Sequence, residues 1–305
     1  MKKLIIFIIL SAFLFSTMEV ALKLAGASFD TLQLTFLRFL IGGLILLPIA
    51  ASERKSMKKT AKAPMPKKYW AFLPLLGFIN VPVCMSMFQF GVSHSNASTV
   101  AVIFCCNPIF TMVFAHFMTK DDKLNKVKVA SLALGFIGII MMIRPWDIQA
   151  GNTVIGIAAT IGAALIWGIY SVIGGKSVGH LGPFTQTAGS FLCGSAMVFV
   201  EVLILNKPIL TGVLENLPVL LYASIAATGL GYLFYFYAIK LSDASTGSIV
   251  FFFKPVIAPI VAVIVLHEAI TYNMFVGIAL ILAASYLLIF VNRKNTSEEL
   301  PLQMD

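Results

Sequence analysis

Three ionisable residues, Glu19, Arg38 and Lys254, stand inside long apolar runs of the 305-residue chain. A charge in hydrocarbon is costly, so each needs a cavity or a partner, and each is a candidate for function. Lys254 is about eight residues from the nearer end of its run, about 12 Å deep at 1.5 Å per residue, too deep to snorkel easily. Two readings stand for it: a ligand for an anionic group, or a buried partner of Glu19. Arg38 sits at a similar depth on the next run after Glu19, where it would pair with that carboxylate or tune it. Glu19 itself would bind an amine or carry a proton; Lys23, one turn on, is a further partner for it. Glu201 lies near a run end, an interfacial position.

Lys254 is followed by Pro255, and Asn107 by Pro108. Proline removes an N–H and frees a carbonyl of the preceding turn, exposing polar backbone that a cavity can use. These two polar–proline pairs occupy matching places in a repeat. Ser95–Pro108 reads SNASTVAVIFCCNP and Ser242–Pro255 reads SDASTGSIVFFFKP, gap-free at one fixed shift. Phe88, Phe90 and Val92 extend the match to Tyr235, Tyr237 and Ile239. Aromatic residues crowd the same level, among them Phe104, Trp167, Tyr170, Tyr232, Tyr235, Phe251, Phe252 and Phe253. They offer apolar area and cation–π contacts to a ligand, although each is also an ordinary core or lipid-facing residue. The candidate binding set is Lys254, Trp167, Tyr170, Asn107, Tyr235 and Phe253, with Glu19 and Arg38 as a proton-coupling or charge pair.

Catalytic chemistry finds no comparable support. His94, His116, His180 and His267 are scattered, with no HExxH, and no phosphate-binding Gly-Lys-Ser/Thr loop appears. Cys84, Cys105, Cys106 and Cys193 lie in apolar runs and read as small hydrophobes. Neither metal nor organic cofactor is expected. A channel reading lacks a charged ring or filter motif.

The elements that must position these residues are membrane helices. The chain is 59% hydrophobic and 11% charged, against about 25% charged for a soluble domain. The net charge of +9 resides in connections rather than in a nucleic-acid-binding face. Ten runs are long enough to span a bilayer, near 4–25, 30–51, 69–92, 97–118, 127–144, 153–175, 183–205, 217–239, 245–266 and 272–291. The first is read as a helix rather than a cleaved leader. Most connections are short; the one sizeable loop, Ser52 to Lys68, is basic. With the N-terminus inside, 17 Lys and Arg fall on the cytoplasmic side against 3 outside, so both termini are expected in the cytoplasm. The fourth and ninth spans correspond, a shift of five helices. Five is odd, so the second half enters the membrane inverted, which places a site near the midplane between the halves. The expected organisation is therefore an all-α polytopic membrane protein with ten transmembrane helices. It comprises one five-helix repeat over 1–148, an inverted repeat over 149–292 and a cytoplasmic tail over 293–305.

ALIWGIYSVIGGK (Ala164 to Lys176), the repeated Ser-Thr-to-Pro segments, LRFL (Leu37 to Leu40) and HEAIT (His267 to Thr271) together resemble the drug/metabolite transporter superfamily, in its ten-helix EamA branch. In the last of these, His267 replaces the glycine of the family's usual Gly-Glu. Phe15-Ser16 stands where Trp-Gly is common, and Lys120-Asp121 stands at the first half's Gly-Glu. The resemblance implies two inverted halves around a central cavity and export of small metabolites. The expected function is secondary active transport, as an exporter, of a small amphipathic metabolite such as an amino acid, driven by protons or by exchange. The expected setting is the inner or plasma membrane, as a monomer or dimer in the lipid bilayer, without a nucleic-acid partner.

Overall fold

The computed structural model describes residues 2–60, 66–119, 124–143, 151–248, 250–268 and 272–287. Among these the chain is helical, with no strand. Seven helices are long and apolar enough to cross a membrane: α1 (Lys3–Gly26), α2 (Thr31–Lys59), α3 (Lys67–His94), α4 (Ala97–Met118), α6 (Val154–Leu181), α7 (Pro183–Ile204) and α8 (Leu217–Leu241). Three further apolar helices, α5 (Lys126–Ile143), α9 (Val250–Leu266) and α10 (Tyr272–Tyr286), fall where the remaining runs are expected. The Lys120-Asp121 pair, Arg144, residues 269–271 of HEAIT and the tail lie outside the described residues.

Large apolar side chains point outward along these helices, including Phe13, Leu44, Phe136 and Ile264, as a lipid-facing surface requires. Small residues set the closest approaches. A β-carbon on Gly77 of α3 would lie 2.6 Å from the Ser190 carbonyl of α7 and 2.8 Å from the Gly194 nitrogen. Only glycine allows backbones that near. Two helices outrun the expected spans. The α2 helix continues through Ser-Glu-Arg-Lys-Ser-Met-Lys-Lys, mostly good helix formers, into the basic segment expected as loop. The α6 helix runs on to Leu181 and stops at Gly182, whose φ of 87° ends it before Pro183.

Neighbour relations follow a pattern of exchange. The α2 helix packs on α7, α5 on α10 and α4 on α9. The α3–α7 contact is matched by α8–α2, α4–α6 by α9–α1, and α3–α6 by α8–α1. Raising or lowering every number by five converts the set into itself.

Among the described residues, four helices are irregular in mid-span. The α1 helix is interrupted at Thr17, where Ser16 Oγ donates to the Ala12 carbonyl (2.6 Å) and Thr17 Oγ1 to the Leu14 carbonyl (3.0 Å). Such back-bonding bends helices. The α4 helix is interrupted at Cys105-Cys106, before Pro108. The α3 and α8 helices each contain a π-helical stretch, Ile79–Met85 and Tyr222–Leu230. The 147-residue shift of the sequence repeat lays the second over 75–83, overlapping the first. Pro82 accounts for the stretch in α3; α8 has no proline there, and the structure offers no local cause.

Candidate functional site

These irregularities surround one place. Glu19, two residues after the break in α1, forms an ion pair with Lys254 of α9, and both side chains are only 1% exposed. The ammonium also lies 5.1 Å from the Phe104 ring centre, 5.7 Å from Phe88 and 5.8 Å from Phe251, within cation–π range of all three. Beside the pair is a small void of about 10 Å³, room for about one water molecule, lined by Phe15, Met18, Met85, Phe88, Phe104, Trp167, Tyr232, Phe251 and Lys254. Trp167 sits at the middle of the aromatic wall, edge-on to Phe104 and Phe251 at 5.4 Å and to Tyr232 at 4.9 Å.

The carboxylate's ion-pair partner is thus Lys254 and not Arg38. Arg38 is wholly buried on α2, with Nη1 3.9 Å from the Met18 sulfur and its guanidinium carbon 4.8 Å from the Phe39 ring centre. Lys23 is engaged elsewhere: its ammonium donates to the Val92 carbonyl at 2.9 Å and the Ser95 carbonyl at 2.7 Å.

The other expected residues divide. Trp167 lines the void. Tyr235 stands behind it and donates to Ser171 Oγ at 2.8 Å, while Tyr170 packs between Trp167 and Phe236. Asn107 has a local task. Pro108 has no N–H for the Phe104 carbonyl four residues earlier, and Asn107 Nδ2 donates to that oxygen instead, at 2.7 Å. Its Oδ1 is buried without a partner. The Phe253 side chain lies outside the described residues. Phe15, Met18, Met85 and Phe88 were not anticipated, because an apolar residue in an apolar run gives no contrast. Asn80, 0% exposed and bonded through Oδ1 to the Tyr232 hydroxyl (3.2 Å), had a signal: a polar residue two before Pro82.

Away from the void, two carboxylates cap helix N-termini. At the lysine-poor face, Glu268 after α9 accepts from Ala97 N (2.8 Å), Ser98 N (3.0 Å) and Ser98 Oγ (2.5 Å) at the start of α4. His267, just before Glu268, takes a φ of 54°, in the region that favours glycine. At the lysine-rich face, Glu53 of α2 accepts from Thr185 N (2.8 Å) and Thr185 Oγ1 (3.0 Å) at the start of α7. Carboxylates at helix N-termini satisfy orphan N–H groups and complement the helix dipole.

The EamA-like transporter profile matches residues 2–144 and again residues 154–290. The chain belongs to the EamA-like transporter family. Among EamA proteins it is similar to an uncharacterized transporter of Clostridium kluyveri, at 35% identity over 301 residues, covering 96% of this chain and 95% of that one. It is also similar to the uncharacterized transporter YoaV of Bacillus subtilis, at 25% identity with 86% and 88% covered. A crystal structure of an 18% identical protein has the same fold, with a TM-score of 0.71 over 95% of this chain and 97% of that one. For this EamA protein, then, the family and the multi-pass helical fold stand together. The site above lies where the two matched segments meet: Glu19, Arg38, Phe88 and Phe104 come from the first, Trp167, Tyr232, Phe251 and Lys254 from the second.

Proposed function

We propose that this protein is a secondary active transporter, an exporter of a small amphipathic metabolite such as an amino acid, working by alternating access between two inverted five-helix halves, 1–148 and 149–292. The observation that carries the reading is the buried Glu19–Lys254 pair beside an aromatic-walled void, at the level where α1 and α4 are broken. A buried pair has lost its hydration, so an incoming zwitterion can exchange partners with it: carboxylate to Lys254, ammonium to Glu19. Trp167 and the rings around it hold the apolar body. A proton on Glu19 can substitute for the ammonium, which supplies a coupling route. The double family match and the exchange of helix neighbours support the inverted-repeat reading. The Lys and Arg count supports a plasma-membrane topology with both termini in the cytoplasm.

The test is transport by the purified protein in vesicles carrying an internal pH dye, challenged with metabolite pools and single amino acids. Solute-dependent proton movement that disappears in Glu19→Gln is the expected result. Flux that persists in Glu19→Gln without proton movement would make the protein a uniporter or exchanger. Chemical turnover of the solute, or ohmic single-channel current, would sink the transporter reading.

A further inference from the structure

The charges of the site do not balance. Glu19 supplies one negative charge; Lys254 and Arg38 supply two positive ones, all three side chains being buried. Glu19 is spent on Lys254, although it is close enough to act on Arg38 electrostatically. The free part of Arg38 is informative. Nη1 is turned to the Met18 sulfur, whereas Nε and Nη2 have no hydrogen-bond partner. Those two N–H groups form the flat side of the guanidinium, the fork that matches the two oxygens of a carboxylate. Asn80 Nδ2, linked to the site through Tyr232, is a further buried donor without a partner. Met18 and Tyr232 both line the void and both neighbour Arg38, so the guanidinium lies just behind its wall. Phe39 covers only its face. A desolvated cation with its best donor edge idle costs stability, and it persists where a ligand completes it.

We infer that Arg38 is the anion receptor of the site, and that the transported solute carries one net negative charge, through a carboxylate held by the Nε–Nη2 edge of Arg38. This rests on the central void being the solute site of a transporter, and it narrows the solute class. A zwitterion alone leaves the loaded site with one surplus positive charge; a monoanion neutralises it. A simple monocarboxylate does so with the Glu19–Lys254 pair intact. An acidic zwitterion does so while exchanging partners with that pair.

The experiment is thermal unfolding of the purified protein with acetate, lactate and 3-phenylpropionate, each against its uncharged amide. At least one carboxylate should stabilise the protein saturably while its amide does not. Arg38→Lys, which keeps the charge and loses the fork, should weaken that binding about tenfold or more, and Arg38→Gln should abolish it. Equal stabilisation by the amides, by none of the carboxylates, or by chloride alone overturns the inference. So does undiminished binding by Arg38→Gln; if that variant does not fold, Arg38→Lys and the ligand series still decide. Flux in vesicles separates this claim from the transport reading. Carboxylates that bind while no solute crosses would defeat transport and leave the receptor; a neutral or cationic solute that crosses while no carboxylate binds would do the reverse.

Discussion

At the scale of the residue, the Glu19–Lys254 pair makes an asymmetric prediction. Removing one charge leaves the other buried and unmatched, which costs about 3–5 kcal/mol, whereas replacing both by neutral groups of similar size costs far less. Lys254→Met should therefore lower the unfolding temperature more than the double variant Glu19→Gln/Lys254→Met does. Equal or additive losses would show that the two side chains do not depend on each other. If the double variant is stable yet inactive, the pair serves the solute and not the fold. The sequence marked Glu19, Arg38, Lys254 and Trp167 by contrast alone, because charge and indole stand out in an apolar run. The choice of partner was illegible. Arg38 and Lys254 both lie deep within their runs, and which of them meets the carboxylate depends on packing throughout the bundle.

At the scale of the element, the break in α4 is built from two adjacent residues. Asn107 satisfies the carbonyl that Pro108 leaves open, so Asn107→Ala should cost about 1–3 kcal/mol through an unpaired buried acceptor. Asn107→Ala/Pro108→Ala restores an N–H for that carbonyl and should recover most of the loss in a thermal-unfolding measurement. No recovery would assign Asn107 to the solute instead. Pro108 announced the irregularity in α4, and Pro82 stands inside the π-helical stretch of α3. Nothing comparable announced those in α1 and α8, where short-range hydroxyl bonds and neighbouring helices act without leaving a pattern. The same limit explains α2, whose continuation beyond the apolar run is stabilised by Glu53 on Thr185, a contact between residues 132 positions apart.

At the scale of the whole molecule, the ten helices and their order were legible because bilayer thickness sets their length. The proposed alternating access requires the lysine-poor face to part where Glu268 grips the start of α4. Cysteines placed at Ser98 and Glu268, in a background lacking the four native cysteines, should allow a short bifunctional thiol reagent to arrest flux, with release on reduction when the reagent is cleavable. Undisturbed flux after complete cross-linking would mean that this face never opens.

The surplus positive charge proposed at Arg38 has an electrical consequence for the proposed export cycle. When aqueous access switches from one side to the other, the transmembrane voltage falls across a different part of the protein, and the guanidinium changes its potential almost without moving. One charge crossing 100 mV is worth about 2.3 kcal/mol. A cell interior held negative therefore draws the empty carrier towards its cytoplasm-facing state, where it waits for an internal solute. Once an anion is aboard the charge is cancelled, and the loaded carrier turns outward with the voltage no longer opposing it.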